Sequence, residues 1–151
     1  MITAHVESFV ANIEQLKRVI PLHYEELAMN KDKVPLQPRW NLYAQQEANG
    51  ELFFVALRDA GEMVGYFIGF VAPGLHYETC LTCIQDIFYV KPDGRGAAAG
   101  NLLFDFVESE LKRRGVQRII ANSKNHFPAS WLFDRRGYDP IETIHSKWIG
   151  D

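Results

Sequence analysis

The spacing of apolar residues changes period along this chain, and each change marks an element. Phe9, Ile13, Leu16 and Ile20 recur at the spacing of one helix face, with Ser8 placed to cap it. Pro21 removes a backbone donor and interrupts that pattern, so residues 23–29 read as a second helical stretch or a kinked continuation. Residues 30–38, NKDKVPLQP, are polar and carry two prolines, which predicts a loop; residues 39–48 look helical and stop at Asn49-Gly50. From Glu51 the texture is that of a sheet. Residues 52–57 and 63–71 are aromatic and β-branched runs on either side of a turn, which predicts a hairpin. A loop at 73–78 and a third long strand over 80–91 follow, and residues 2–7 add a short strand at the start.

A helical period returns at residue 98. Leu102, Leu103, Phe106, Val107 and Leu111 share a face, Lys112 to Arg114 complement the C-terminal dipole, and Gly115 ends the element. A strand over 116–122, a short helix over 128–136 and final strand material over 138–149 complete the order. Strands joined first by hairpins and then through helices predict one α/β domain over residues 1–151, a mixed and mostly antiparallel sheet with helices on both faces.

Composition narrows the function classes. With 47% hydrophobic and 23% charged residues, 151 residues suffice for one core without staples. A net charge of −3 offers no basic field, so no nucleic-acid partner is expected. The longest apolar stretch, 63–75, is broken by Gly65, Gly69 and Pro73 and falls short of the roughly 20 residues of a bilayer span. The first residues lack a basic flank followed by an apolar core. A cytoplasmic protein without a membrane partner is the expectation. Cys80 and Cys83 lack the second pair that a zinc site needs, and on a strand they point to opposite faces, so reduced cysteines and no metal are expected.

The chemistry concentrates in VKPDGRGAAAGNLLFDF, residues 90–106. Between a strand and a helix lie residues of which only Arg95 projects far, and a helix start with small residues lets an anion reach its free N–H groups. A plain glycine turn before good helix formers fits the same letters. A P-loop would need Lys followed by Ser or Thr after the last glycine, and Gly100 is followed by Asn101-Leu102.

The run V-K-P-D-G-R-G-A-A-A-G-N-L-L resembles the acetyl-CoA-binding motif of the GNAT superfamily of N-acetyltransferases, V-x-P-x-x-R-G-x-(G/A)-x-G-x-x-L-L after a strand. Residues 129–138, A-S-W-L-F-D-R-R-G-Y, resemble the superfamily's A-x-x-L-Y-x-x-x-G-F. The first third, with HYEELAMNKDKVPLQP and Trp40, is similar to acetyltransferases of bacteriophages and prophages.

The resemblance implies an enzyme that moves an acetyl group from acetyl-CoA to a primary amine, on a small molecule or a protein, by direct attack. It implies that Phe88, Tyr89 and Val90 line the pantetheine arm and that Gly94, Arg95, Gly96, Ala97, Ala98, Ala99, Gly100 and Asn101 hold the pyrophosphate, with Asn125 and Phe133 also serving the cofactor. Two residues depart from the pattern: Asp93 stands where Gln or Arg is usual, and Phe133 where a tyrosine usually protonates the departing thiolate.

An attacking amine must lose its proton, and Asp86, four residues before Val90, stands where relatives place a glutamate base. Alternation puts it on the face of Ile84, Phe88 and Val90. Tyr138 or His126 are candidates to assist the thiolate. Two polar and aromatic clusters, residues 23–26 and 76–78, lie in the regions that flank the acceptor in relatives; Tyr24, Glu25 and Tyr77 are the acceptor-side candidates, suited to an ammonium group. Asp93 and Phe133 also keep open a decayed CoA-binding module that acts through a partner, and the oligomeric state, a homodimer included, is open. A nucleic-acid acetyltransferase would require a basic patch formed only on folding.

Overall fold

The computed structural model describes residues 1–94 and 97–151, positions 94 and 97 by backbone element alone. The elements run β1 (Ile2–Val6), α1 (Ile13–Leu27), α2 (Trp40–Ala48), β2 (Leu52–Asp59), β3 (Glu62–Gly74), β4 (Tyr77–Val90), α3 (Ala97–Arg113), β5 (Arg118–Ile120) and α4 (Ser130–Arg135), with 3-10 turns at Val10–Asn12 and Pro92–Gly94. One five-stranded sheet has the order β1-β2-β3-β4-β5. All neighbours are antiparallel except β4 and β5, which are parallel because α3 carries the chain back over the sheet.

Alternation along the strands divides the core into two. Phe53, Val55, Leu57, Phe67, Cys83 and Val90 face α3 and α4, where they meet Leu103, Phe104, Val107, Leu132 and Phe133. Phe54, Ala56, Tyr66, Ile68 and Tyr89 face the other way, against Leu16, Val19 and Ile20 of α1 and Tyr43 of α2. Phe104, rather than Phe106, is the fully buried aromatic of α3.

One open alternative is decided and two expectations are corrected. Of the two readings past Pro21, continuation holds: α1 runs through it to Leu27. Leu16, Val19 and Ile20 are buried on the sheet, and that burial outweighs the roughly 3 kcal/mol an interior proline costs. The predicted loop at 73–78 is instead a tight hairpin, since β3 reaches Gly74 and β4 begins at Tyr77. The final strand over 138–149 does not form. Ile141, Ile144 and Trp148 recur at strides of three and four, which gives no strand a single apolar face, and all three are exposed.

Candidate active site

The strand that carries the candidate base contains a bulge. Pairing between β3 and β4 runs in step from Gly65–Val90 to Ile68–Ile87 and resumes at Gly69–Gln85, so Asp86 is the extra residue. Beyond it, Phe88 and Val90 pack toward α3 and α4, while Ile87 and Tyr89 pack toward α1 and α2. Asp86 lies on the α1/α2 side with Ile84, whose register partner Phe70 stacks on Tyr43 of α2. The expectation that Asp86 shares a face with Phe88 and Val90 is therefore corrected: the bulge resets the alternation.

On that side the Tyr43 hydroxyl donates to Asp86 Oδ2 at 2.5 Å. Burial, and then this bond, holds the Tyr43 phenol far above its ordinary range, so it stays a donor. Asp86 and Tyr43 open into a cleft of about 300 Å³ completed by Pro38, Arg39, Leu42 and Phe70. Deeper along the same face, His23 Nδ1 lies 2.6 Å from the Tyr66 hydroxyl, and the His23 ring stacks on Tyr89 at 4.8 Å. Tyr89 in turn donates to Glu26 at 3.3 Å. Burial pushes the Tyr66 phenol up strongly, so it too remains protonated.

On the opposite face, β5 pairs with β4 only from Thr82–Arg118 to Ile84–Ile120, and the ladder stops well before β4 ends. Next to this parting, Phe133 of α4 meets Phe88 at 6.0 Å and Phe104 at 5.4 Å. Gln85 bridges the parting by donating to the Asn122 side chain at 3.3 Å. Small residues open α3: Ala98 is exposed, Ala99 buried and Gly100 partly buried. Arg136, just past α4, donates to Glu108, Asp105 and Asn101, stapling α4 to α3.

A family model for the acetyltransferase (GNAT) family matches residues 19–138, most of the chain. The chain belongs to this family. No curated protein matches it by sequence. Among solved structures it is similar to a ribosomal-protein-alanine N-acetyltransferase from Brucella melitensis biovar Abortus 2308, with TM-score 0.78 and 13% identity over 100% of this chain and 99% of that one. It is also similar to an aminoglycoside acetyltransferase from an uncultured soil metagenomic sample, with TM-score 0.77 and 15% identity over 100% and 99% of the two chains. A predicted acetyltransferase from Clostridium acetobutylicum, solved with acetyl-CoA, matches with TM-score 0.69 and 13% identity over 99% and 97%. At these identities the likeness is one of fold.

GNAT proteins use acetyl-CoA, and the described residues suit it: the β4 strand released by β5, an aromatic floor at Phe88 and Phe133, and a helix start with no bulky side chain. Phe88, Tyr89 and Val90 close β4 and lead directly toward α3, and Ala98, Ala99, Gly100 and Asn101 form the first turns of that helix. Arg95 and Gly96 lie outside the described residues, as do the side-chain surroundings of positions 94 and 97. Asn125 is exposed in the turn that Lys124 and Phe127 close.

The structure does not bring Tyr138 to Asp86. Tyr138 packs at 5.2 Å from Phe133 on the α3/α4 side, and its hydroxyl is buried with no hydrogen-bond partner among the described residues. Burial, then the neighbouring Glu108 carboxylate, raises its phenol well above the ordinary range, while Glu108 commits both oxygens to Arg136. Tyr24 and Glu25 serve the loop after α1: the Tyr24 hydroxyl donates to the Val34 carbonyl at 2.6 Å, and Glu25 pairs with Lys31 at 3.6 Å. Tyr77 is exposed at the β3–β4 hairpin, with Arg118 over its ring at 5.4 Å. His126 donates from Nε2 to the Leu27 carbonyl at 2.9 Å and ties its loop to the end of α1. Of the polar run in α1, His23 and Glu26 are the members that turn to the sheet. Tyr43 carried no signal in its spacing.

Among the described residues no group of three or more His, Cys, Asp and Glu could hold a metal ion, and no helix is long and apolar enough to cross a membrane. Burial pushes the Cys83 thiol up to about 12, which makes it an inert core residue near neutrality.

Proposed function

We propose that this protein transfers the acetyl group of acetyl-CoA to a primary amine that enters the cleft beside α2, with Asp86 taking the amine's proton directly or through water. The observation that carries the reading is the bulge. It aims one carboxylate of β4 into an open cleft on one face, while Phe88 and Val90 of the same strand stay on the other face, beside the strand edge that β5 leaves. A thioester brought along that edge reaches the level of the bulge and meets the amine there. Attack of the neutral amine on the thioester carbonyl forms the amide bond, and the C–S bond breaks to release the thiolate. Phe133 has no proton to give, but a thiol's pKa of about 8.5 lets the thiolate depart near neutrality with little help.

Tyr43 is a positioning residue in this scheme, since its donated bond fixes which way Asp86 faces. His23, Tyr66, Tyr89 and Glu26 form the wall behind the bulge. The pyrophosphate is assigned to residues 94–101, with Arg95 as the fixed cation. A soluble, cytoplasmic setting is part of the same proposal.

The test is thiol release from acetyl-CoA over a panel of primary amines, with Asp86→Asn alongside. Turnover that falls about a hundredfold or more in the variant, at unchanged CoA affinity, supports the reading. Tight CoA binding without turnover on any amine favours the second reading, a binding module, for which the buried Phe133 in place of a tyrosine is the supporting observation. Gly96→Glu separates the cradle from the rest: it puts a like charge and a bulky side chain where the phosphates are assigned, and is expected to abolish CoA binding with the fold intact.

A further inference from the structure

The cleft that holds Asp86 is not a plain acidic pocket. Arg39 lines it as well, and also lines a second cleft of about 520 Å³ that shares Pro38, Arg39 and Leu42 with the first and continues along Trp40, Asn41 and Gln45. Arg39 is exposed and makes no ion pair or hydrogen bond through its side chain among the described residues. This sets it apart from Arg58, Arg113, Arg114 and Arg136, whose guanidinium groups are each committed to carboxylates. Asp86, by contrast, is anchored by Tyr43. The continuous opening thus carries one fixed carboxylate in its inner part and one uncommitted guanidinium on its wall.

Resting on the proposed amine acetylation at this cleft, we propose that the acceptor is a small zwitterion: a primary amine presented to Asp86 and, at the other end of the same molecule, a carboxylate or similarly charged oxyanion held by Arg39. A guanidinium offers a planar fork of N–H donors that matches a carboxylate, and an uncommitted one beside a small cleft favours an anion and repels a second ammonium. The inner cleft that both Asp86 and Arg39 line is about 300 Å³, at the small end of ligand pockets, so an amino-acid-sized molecule is large enough to reach both groups. An amine without the anion leaves Arg39 unanswered, and a diamine places like charges together.

The experiment uses ω-amino acids from glycine to 6-aminohexanoate, each matched with its neutral amide and with the α,ω-diamine of the same chain length. Two readouts are taken on the wild-type protein and on Arg39→Gln and Arg39→Glu: kcat/KM for thiol release from acetyl-CoA, and ligand-induced thermal shift of the CoA-saturated protein. For at least one chain length the amino acid is expected to exceed its amide and the diamine by about tenfold or more. Arg39→Gln should bring it down to the level of the amide, and Arg39→Glu should reverse the order in favour of the diamine. Amides or diamines equal to the amino acids at every length, or a preference that survives Arg39→Gln, would overturn the inference while leaving amine acetylation standing. A charge preference seen in the thermal shift without thiol release would sustain the zwitterion site and count instead against the transfer reaction.

Discussion

Tyr43 in the middle of α2 reaches across to the β4 bulge and donates its phenol to Asp86 at 2.5 Å. The ring itself is held independently of that bond, stacked on Phe9 at 4.8 Å and on Phe70 at 6.2 Å. Tyr43→Phe therefore removes the anchor of the carboxylate without removing the packing. We expect amine acetylation to lose about ten- to a hundredfold in kcat/KM while the melting temperature moves by only a few degrees. Steady-state kinetics beside a thermal melt checks both, and undiminished turnover would mean that Asp86 needs no such anchor.

Burial raises the phenols of Tyr43, Tyr66 and Tyr138 far above the ordinary value of 10. The sign follows from linkage. Below about pH 10 neither the folded nor the unfolded chain has ionised these groups, and their contribution is fully present; above it the unfolded chain ionises first, and stability falls as pH rises toward the folded values. The melting temperature should drop steeply above pH 10, and phenolate absorbance from these three should appear together with unfolding rather than before it. Tyr138→Phe should soften that alkaline loss, and because its hydroxyl is buried without a partner, the change should cost nothing near neutrality. A destabilised Tyr138→Phe at pH 7 would reveal a bond that the structure does not show.

What could be read from the sequence was whatever depends on local period. The β2–β3 hairpin, the long β4, the amphipathic α3 and its glycine stop all follow from spacing that neighbours in the chain impose on one another. Two outcomes were set by tertiary effects. Pro21 is a local breaker, yet the buried side chains around it bind α1 to the sheet with more energy than the proline removes. Residues 138–149 hold enough apolar side chains to suggest a strand, but a strand needs a stride of two and a partner edge. Family membership was legible at residues 90–106 because the motif they resemble is written in consecutive residues. The proposed acceptor side was not, because Tyr43, His23 and Asp86 come from three elements, and a single extra residue in β4 decides which of the sheet's faces the carboxylate joins.

Glu47 near the end of α2 accepts from the Ser8 hydroxyl at 2.8 Å and from the backbone N–H groups of Phe9 and Val10. These are amides at the start of the turn that leads into α1, so one carboxylate caps that turn and fixes α2 against it. Glu47→Ala is expected to destabilise the fold by about 1–3 kcal/mol, measured by urea unfolding. Glu47→Gln, which keeps one acceptor oxygen, should recover part of this. An equal loss in both variants would assign the effect to the charge rather than to the capping geometry.

Gly65 pairs with Val90 at the end of β4, where the strand hands over to the proposed cofactor turn. A Cβ at Gly65 would lie 2.5 Å from the Tyr89 carbonyl oxygen and 3.2 Å from Val90 Cα, both backbone atoms that no rotamer change can move aside. Gly65→Ala must then push β3 and β4 apart at that end, with an expected cost of about 1–3 kcal/mol and a weakened grip on CoA. Gly74→Ala is the control: it sits in the same strand, at the hairpin, where the nearest atom to an added Cβ is 3.6 Å away. That variant should lie within about 0.5 kcal/mol of the parent and bind CoA normally. Equal effects at the two positions would show that strand approach at Gly65 is not what keeps Val90 in register, and that the handover to the cofactor turn tolerates a wider sheet.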